Sequence, residues 1–213
     1  NFTVSQTIEV SMVGILDGVK NAGITLFFVL FIGYDFSTLR PSGAYVAGVG
    51  ASTSGAISFM NIYDSMCFTV ASAGGRRGAQ MGTLSIDHPD VLEFIQAKRE
   101  DGRLRQFNLS VLITDEFIHA VKENLPWYLI FPVHKKEYTA VHHDYVWKNI
   151  HWDADYFVKD HDGKVAHKIY HVMPAKELWD IIMKSTYDYA EPGFLLIDEI
   201  NKMNPLNSVE TIR

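Results

Sequence analysis

The order of apolar and polar positions along the chain predicts helices that alternate with strands. Helical spacing of apolar residues and helix-capping residues predict helices at residues 11–21, 56–71, 114–124 and 174–190, with one more beginning after Asp87. Short continuous apolar runs predict strands at residues 25–32, 83–86, 108–112, 127–132 and 193–197. Such alternation is typical of an α/β fold whose strands pair mainly in parallel.

Individual residues refine these predictions. Gly23 is expected to end the first helix, because glycine is common just after a last helical turn. Asp87 and Thr114 are expected to cap the helices that follow them, since their oxygens accept N–H groups at a helix start. The runs at residues 24–32 and 193–197 are expected to be buried strands, and residues 133–172 peripheral hairpins or loops. The packed face of the helix at residues 56–71 is expected to include Ile57, Met60, Ile62 and Tyr63.

Composition indicates an ordinary folded protein. The 213 residues are 47% hydrophobic and 21% charged, and no linker divides them, so we expect a single domain over residues 1–213. A net charge of −6 argues against a nucleic-acid partner. The longest apolar run, residues 24–32, falls short of the roughly 20 residues that cross a bilayer. The single cysteine excludes an internal disulfide framework. Because no signal-peptide pattern opens the chain, we expect a cytoplasmic protein without a membrane partner. Because the first residue is Asn1 and not methionine, we expect that an upstream segment is missing or was removed.

A glycine-rich segment with two arginines, AGGRRGA at residues 73–79, is the first candidate for a ligand site. Glycine lets the backbone come close to a ligand, and arginine presents donors that match phosphate oxygens or the edge of a base. Such a loop suits a nucleotide. A solvated turn with two surface arginines has the same sequence, and glycine-rich loops are weak signals on their own.

The segments around this loop carry a more specific signal. They are GYDFSTLRPSGA (residues 33–44), VAGVG (46–50), QMGTL (80–84), DHPDVLEFI (87–95), RQFNLS (105–110), ITDEF (113–117) and AEPGFLLID (190–198). In this order the chain resembles, over nearly its whole length, the large catalytic subunit of ribonucleotide reductase, in particular the adenosylcobalamin-dependent form. The resemblance implies a ten-stranded α/β barrel of two half-barrels, of which this chain would supply roughly the first half. It also implies a homodimer formed through the helices near residues 11–22 and 56–71.

The resemblance further implies an activity and its ligands. The parent reaction reduces ribonucleotides, which we expect to be diphosphates, to deoxyribonucleotides by thiyl-radical chemistry, with adenosylcobalamin as the radical source. A deoxynucleoside triphosphate or ATP would bind as allosteric effector, with Arg40 at its phosphates and residues 72–79 between effector base and substrate base. The positions that match effector-binding ones are Ser11, Met12, Arg40, Ser72, Gly74, Gly75, Arg76 and Arg77, and those that match substrate-binding ones are Asn1 and Gly33.

Three positions depart from the family pattern. Val10 stands where an aspartate usually accepts a hydrogen bond from the effector ribose, and valine cannot accept one. Phe2 stands at the position of a redox cysteine, so no disulfide can form there. Phe31, in the bulky run at residues 27–31, replaces small residues and is expected to fill space near the substrate. The radical cysteine is expected beyond Arg213, so we expect the isolated chain to be catalytically inactive.

Alternatives stay open for the function and for other clusters. The chain is either part of a reductase, with a second polypeptide completing the barrel, or a non-catalytic nucleotide-binding or dimerisation module derived from that family. An altered or artificial sequence would also explain residues 27–31. The histidines between residues 134 and 171 lack regular ligand spacing, which favours a solvated hairpin over a structural metal. Cys67, within an apolar helix, is expected to be a buried structural residue.

Overall fold

The computed structural model describes residues 2–5, 7–28, 31–46, 51–74, 78–99, 103–139, 145–150, 152, 155–205 and 211–212. In chain order the elements are β1 (Phe2–Val4), α1 (Met12–Phe28), β2 (Phe31–Asp35), β3 (Tyr45–Val46), β4 (Ala51–Ser52), α2 (Ala56–Gly74), β5 (Ala79–Ser85), α3 (Val91–Gln96), β6 (Phe107–Ile113), α4 (Asp115–Lys122), β7 (Pro126–Pro132), β8 (Tyr145–Lys148), β9 (Val165–Pro174), α5 (Ala175–Tyr189), β10 (Gly193–Leu196) and α6 (Ile197–Met203).

Five parallel strands form the main sheet in the order β1-β2-β5-β6-β10. Its central strands bury apolar side chains on the helices, which confirms the predicted α/β fold with mainly parallel pairing. The sheet is an open, partial barrel, with β1 and β10 at its edges in the described part of the chain. The prediction that the last strand is buried is wrong, because Phe194 and Leu196 on edge strand β10 are each 41% exposed.

Helix α1 begins where the sequence predicts and continues beyond its predicted end. Ser11 Oγ accepts from the backbone N–H of Gly14 at 2.9 Å and so caps the helix. The predicted helix end at Gly23 is wrong. Gly23 instead packs against α2, and an added Cβ at this position would lie 3.3 Å from Met66 Sδ. The predicted strand at residues 25–32 is therefore wrong up to Phe28. The run is also not buried, since Phe27 is 71% and Phe28 79% exposed.

Helix α2 packs on α1 and on the sheet through most of the predicted face. Ile57, Met60 and Tyr63 are fully buried, as predicted, whereas Ile62 is 38% exposed. The prediction that Ile62 belongs to the packed face is therefore wrong. The helix extends to Gly74, so residues 72–74, predicted as loop, form its last turn.

The two predicted caps have different outcomes. Thr114 Oγ1 accepts from Phe117 N–H at 3.2 Å and caps α4, as predicted. Asp87 does not cap α3, which begins at Val91 after Asp90. The carboxylate of Asp87 instead accepts from Ser85 Oγ at 2.6 Å. Residues 86–90 form a turn before the helix, and this turn is central to the candidate site.

A second, antiparallel sheet lies beside the main one, in the order β7-β9-β8. The residues between 133 and 172 supply β8 and most of β9, and these two strands pair antiparallel. Strand β7 pairs antiparallel with β9 and does not belong to the parallel sheet. A simple alternation of strands and helices would have placed it in that sheet. It joins the main sheet through Trp127 Nε1, which donates to the carbonyl of Ile86 at 3.2 Å. Within the described segments, no helix has the length and apolar character needed to span a membrane.

Candidate functional site

The start of α1 and the loop that carries Arg40 lie side by side. Thr38 Oγ1 donates to the carbonyl of Ile8 at 2.8 Å, and this bond is buried. Thr38 lies two residues before Arg40, and Ile8 lies three residues before Ser11. This bond joins the loop that carries Arg40 to the segment that leads into Ser11 and Met12. Ser11 and Met12 are exposed and Arg40 is half-buried, as a ligand-facing cluster requires.

The charge of Arg40 acts on two stacked aromatic side chains, His134 and Tyr156. The rings of His134 and Tyr156 stack with centroids 5.3 Å apart and planes 18° from parallel. Burial lowers the pKa of His134, and the positive charge of Arg40 lowers it further. Burial raises the pKa of Tyr156, which Arg40 opposes. Sequence reasoning missed this cluster, because nothing local in the sequence pairs residues almost a hundred positions apart.

The turn before α3 anchors the loop that carries Arg40. His88 Nε2 donates to the carbonyl of Leu39 at 2.8 Å. Asp90 accepts from the N–H groups of Ser42 and Ala56, each at 2.9 Å. The motif DHPD was visible in the sequence, but its role as an anchor appears only in the tertiary structure.

The second arginine-containing loop falls mostly outside the described residues, which exclude Gly75, Arg76 and Arg77. Ser72 and Gly74 end α2, and Ala79 begins β5, so both flanks of the loop are fixed by regular structure. Beside the loop, an added Cβ at Gly78 would lie 3.1 Å from Cys67 Sγ. Cys67 is fully buried, as predicted, and burial raises the pKa of its thiol to about 11. A thiol of that pKa is a poor nucleophile at neutral pH.

A buried hydrogen-bond chain joins α1 to the strand that follows this loop. Tyr63 donates its hydroxyl to the carbonyl of Ile15 at 3.1 Å. Gln80 Nε2 donates to the carbonyl of Tyr63 at 3.1 Å, and Gln80 Oε1 accepts from the hydroxyl of Tyr34 at 2.9 Å. Gln80 is only 2% exposed, so each of its amide atoms is satisfied by the protein. Nothing local in the sequence indicates this connection.

Of the two predicted substrate positions, Gly33 and Asn1, the structure describes Gly33. Gly33 is buried in β2, and its carbonyl accepts from Ser5 N–H at 2.8 Å. Phe2 stands opposite Phe31 in the register of β1 with β2, and Phe31 is 47% exposed. Asn1 lies outside the described residues. Val10 is half-buried in the bend before α1, close to the predicted effector positions.

A cavity of about 180 Å³ with polar and apolar lining residues opens at the carboxyl ends of the parallel strands. Asp35 Oδ1 accepts from Ser37 N–H at 3.1 Å and from Ser37 Oγ at 2.5 Å. Ser37 Oγ in turn accepts from Ser85 N–H at 2.8 Å. These bonds tie the carboxyl ends of β2 and β5 together. Across the described residues, no three histidine, cysteine or acidic side chains are grouped to hold a metal ion.

Comparison with known proteins agrees with this architecture. The family described as ribonucleotide reductase, barrel domain, matches residues 3–213. A vitamin B12-dependent ribonucleoside-diphosphate reductase of Mycobacterium tuberculosis (strain CDC 1551 / Oshkosh) is 37% identical over 175 residues, 82% of this chain and 21% of that protein. The enzyme of the same description from Thermoplasma acidophilum is 33% identical over 181 residues, 84% of this chain and 19% of its own length.

More distant relatives share the same segment. The ribonucleoside-diphosphate reductase large chain of Schizosaccharomyces pombe is 25% identical over 216 aligned residues, which cover 95% of this chain and 24% of that protein. The chain thus spans about a fifth of the length of the curated relatives it matches. The resemblance noted from the motifs is confirmed, and the chain belongs to the barrel-domain family of ribonucleotide reductases.

Proposed function

We propose that this chain forms part of the catalytic barrel of a ribonucleoside-diphosphate reductase and holds the phosphates of an allosteric nucleotide beside Arg40. The hydrogen bond from Thr38 to Ile8 supports the second half of the proposal, because it joins the loop that carries Arg40 to the segment that leads into the capped start of α1. The first N–H groups of a helix have no intrahelical partner, and the helix dipole makes that end positive. Together with a guanidinium, such an end favours a triphosphate.

The α1–α2 pair supports the proposal of a homodimer. Val13, Leu16, Ile24 and Phe27 recur at helical spacing along the outer face of α1, and each is at least half exposed. An apolar stripe of this length on a helix is typical of an interaction surface. A dimer through this face places the start of α1 near the partner subunit, where an effector would contact both subunits.

The cofactor is proposed from relatives, two of which are named vitamin B12-dependent. A corrin with its adenosyl group is larger than a drug-sized ligand, which itself fills about 300–1,000 Å³. The cavity of about 180 Å³ at the carboxyl ends of the strands does not fit it. We therefore assign none of the described residues to cobalamin and derive no step of the reaction through it. A cytoplasmic location stays a prediction from the sequence.

The catalytic half of the proposal is tested in a chimera. This chain replaces the matching segment of the Mycobacterium tuberculosis reductase, and deoxynucleotide formation from ribonucleoside diphosphates is measured with cobalamin and a dithiol. Because Phe2 stands at the expected redox-cysteine position, we expect an inactive chimera that regains activity with Phe2→Cys. Activity without that change would show that the prediction for Phe2 is wrong while the barrel assignment stands.

Failure of both chimeras to form product, with nucleotide binding retained, would contradict a catalytic role. That result would favour the alternative, a non-catalytic nucleotide-binding module. The placement of the loop that carries Arg40 supports this alternative equally well, because Arg40 is proposed to bind an effector and not the reacting ribose. A chimera that neither reduces ribonucleotides nor binds effectors would contradict both.

A further inference from the structure

One turn, residues 87–90, fixes the backbone on both sides of Arg40. His88 Nε2 donates to the carbonyl of Leu39 at 2.8 Å, and Asp90 Oδ1 accepts from Ser42 N–H at 2.9 Å. Leu39 immediately precedes Arg40, and Ser42 follows two residues after it. His88 is 2% and Asp90 6% exposed, so water competes little for either contact.

The same carboxylate holds the far end of the loop. Asp90 Oδ2 accepts from the N–H of Ala56, the first residue of α2, at 2.9 Å. Both ends of residues 42–56 therefore meet one side chain. Gly55 permits this approach, because its φ is +90° and an added Cβ would lie 2.8 Å from Asp90 Oδ2.

The backbone of Asp90 also fixes the ring of His88. Asp90 N–H donates to His88 Nδ1 at 3.0 Å, so Nδ1 carries no proton and Nε2 carries the proton given to Leu39. The neutral tautomer of His88 is thus selected by the backbone of Asp90. Loss of the His88 ring therefore removes a partner of the Asp90 backbone, whereas a change of the Asp90 side chain keeps this bond.

We propose that His88 and Asp90 are positioning residues for the effector phosphates, acting through Arg40. This inference rests on the proposed function of Arg40 as a phosphate-binding residue. A loop fixed before binding spares the nucleotide the cost of ordering it, so the guanidinium meets the phosphates in a prepared position. Both anchoring side chains are buried.

A double-mutant cycle tests this role. Binding of dTTP and of thymidine is measured by calorimetry for the unmodified chain, Asp90→Asn, Arg40→Ala and the double variant. We expect Asp90→Asn to weaken dTTP binding roughly tenfold when Arg40 is present. In the Arg40→Ala background the same change should alter dTTP affinity by less than about twofold. Thymidine, which lacks phosphates, should be unaffected by Asp90→Asn.

If the Asp90→Asn variant does not fold, a second pair of variants tests the same role. His88→Gln keeps an N–H donor for Leu39 and should retain dTTP affinity, whereas His88→Leu should lose it to the same extent as Asp90→Asn. Equal losses in both Arg40 backgrounds, or equal losses for dTTP and thymidine, would overturn the positioning role and leave the proposed site intact. Absence of dTTP binding by the unmodified chain would overturn the proposed site itself.

Discussion

Gly18 of α1 lies directly beneath the phenol oxygen of Tyr63 on α2, where an added Cβ would stand 2.4 Å from that oxygen. The same hydroxyl donates to the carbonyl of Ile15 at 3.1 Å. Glycine at position 18 therefore sets how closely the two helices approach. Helices α1 and α2 also carry the candidate dimer face and the start of α1. The contact between Gly18 and Tyr63 therefore supports both the proposed dimer and the proposed effector site.

Gly18→Ala should lower the free energy of unfolding by about 1–2 kcal/mol. Overpacking costs typically about 1–3 kcal/mol, which exceeds the roughly 0.5–1 kcal/mol that alanine gains over glycine within a helix. Urea unfolding measures the change. With Tyr63→Phe already in place, the clash loses its oxygen and the cost should largely disappear. An equal cost in both backgrounds would show that the contact does not set the helix spacing.

Gln80→Leu should destabilise the protein by about 2–4 kcal/mol, since it leaves the buried hydroxyl of Tyr34 and carbonyl of Tyr63 without these partners. Thermal or chemical unfolding gives the value. Asn108→Leu is the matched control, because Asn108 is an exposed amide on the neighbouring strand β6 and its loss should cost less than about 0.5 kcal/mol. Similar losses for the two variants would exclude a special role for Gln80.

Stability should fall as the solution is acidified below about pH 6.5, the ordinary histidine pKa of the unfolded chain. Burial lowers the pKa of His88 and of His167 in the folded protein. Asp90, Asp87 and Asp35 act in the opposite direction on His88 but do not outweigh burial. Below pH 6.5 the unfolded chain therefore binds protons at these histidines that the folded chain does not bind. Stability falls until the pH reaches the lowered pKa values of the histidines in the folded protein.

Unfolding measured between pH 7.5 and 5 tests this sign. His88→Gln should reduce the loss of stability on acidification, because one buried histidine no longer titrates. His161→Gln is the control, since His161 is highly exposed. A stability that rises on acidification, or an equal effect of the two variants, would contradict the neutral tautomer assigned to His88.

Phe27→Ser should shift the chain from dimer towards monomer without loss of fold. Phe27 is 71% exposed on the apolar stripe of α1. Tyr187→Ser serves as the control, because Tyr187 is 91% exposed on α5, outside the α1–α2 pair. Sedimentation equilibrium distinguishes the species. A monomeric unmodified chain, or equal behaviour of both variants, would count against the proposed dimer face.

Local signals in the sequence predicted the parts of the fold that depend on local chemistry. Thr114 caps α4 as predicted, because its hydroxyl satisfies an N–H group within the same turn. The run at residues 24–32 was misassigned because a continuous apolar segment has no period that separates strand from helix. Gly23 added to the error, since its packing against Met66 is a tertiary contact.

The candidate site shows the same division. Arg40 and Ser11 were found through motifs, which are local. The anchors of Arg40 were not, because His88 and Asp90 reach it across 48 or 49 positions and through backbone groups that carry no sequence signal. Asp87 was predicted as a helix cap for the same reason, since only the tertiary structure shows its carboxylate bonded to Ser85.

Calorimetric titration of the chain with each of the four deoxynucleoside triphosphates tests the proposed effector site most directly. The unmodified chain is compared with Arg40→Ala and with Arg99→Ala, a control arginine that packs over the ring of Tyr189 at 5.4 Å. We expect saturable binding that differs among the bases, is lost in Arg40→Ala and is retained in Arg99→Ala. Binding to none of the four, or binding that Arg40→Ala leaves unchanged, would contradict a phosphate site at the start of α1.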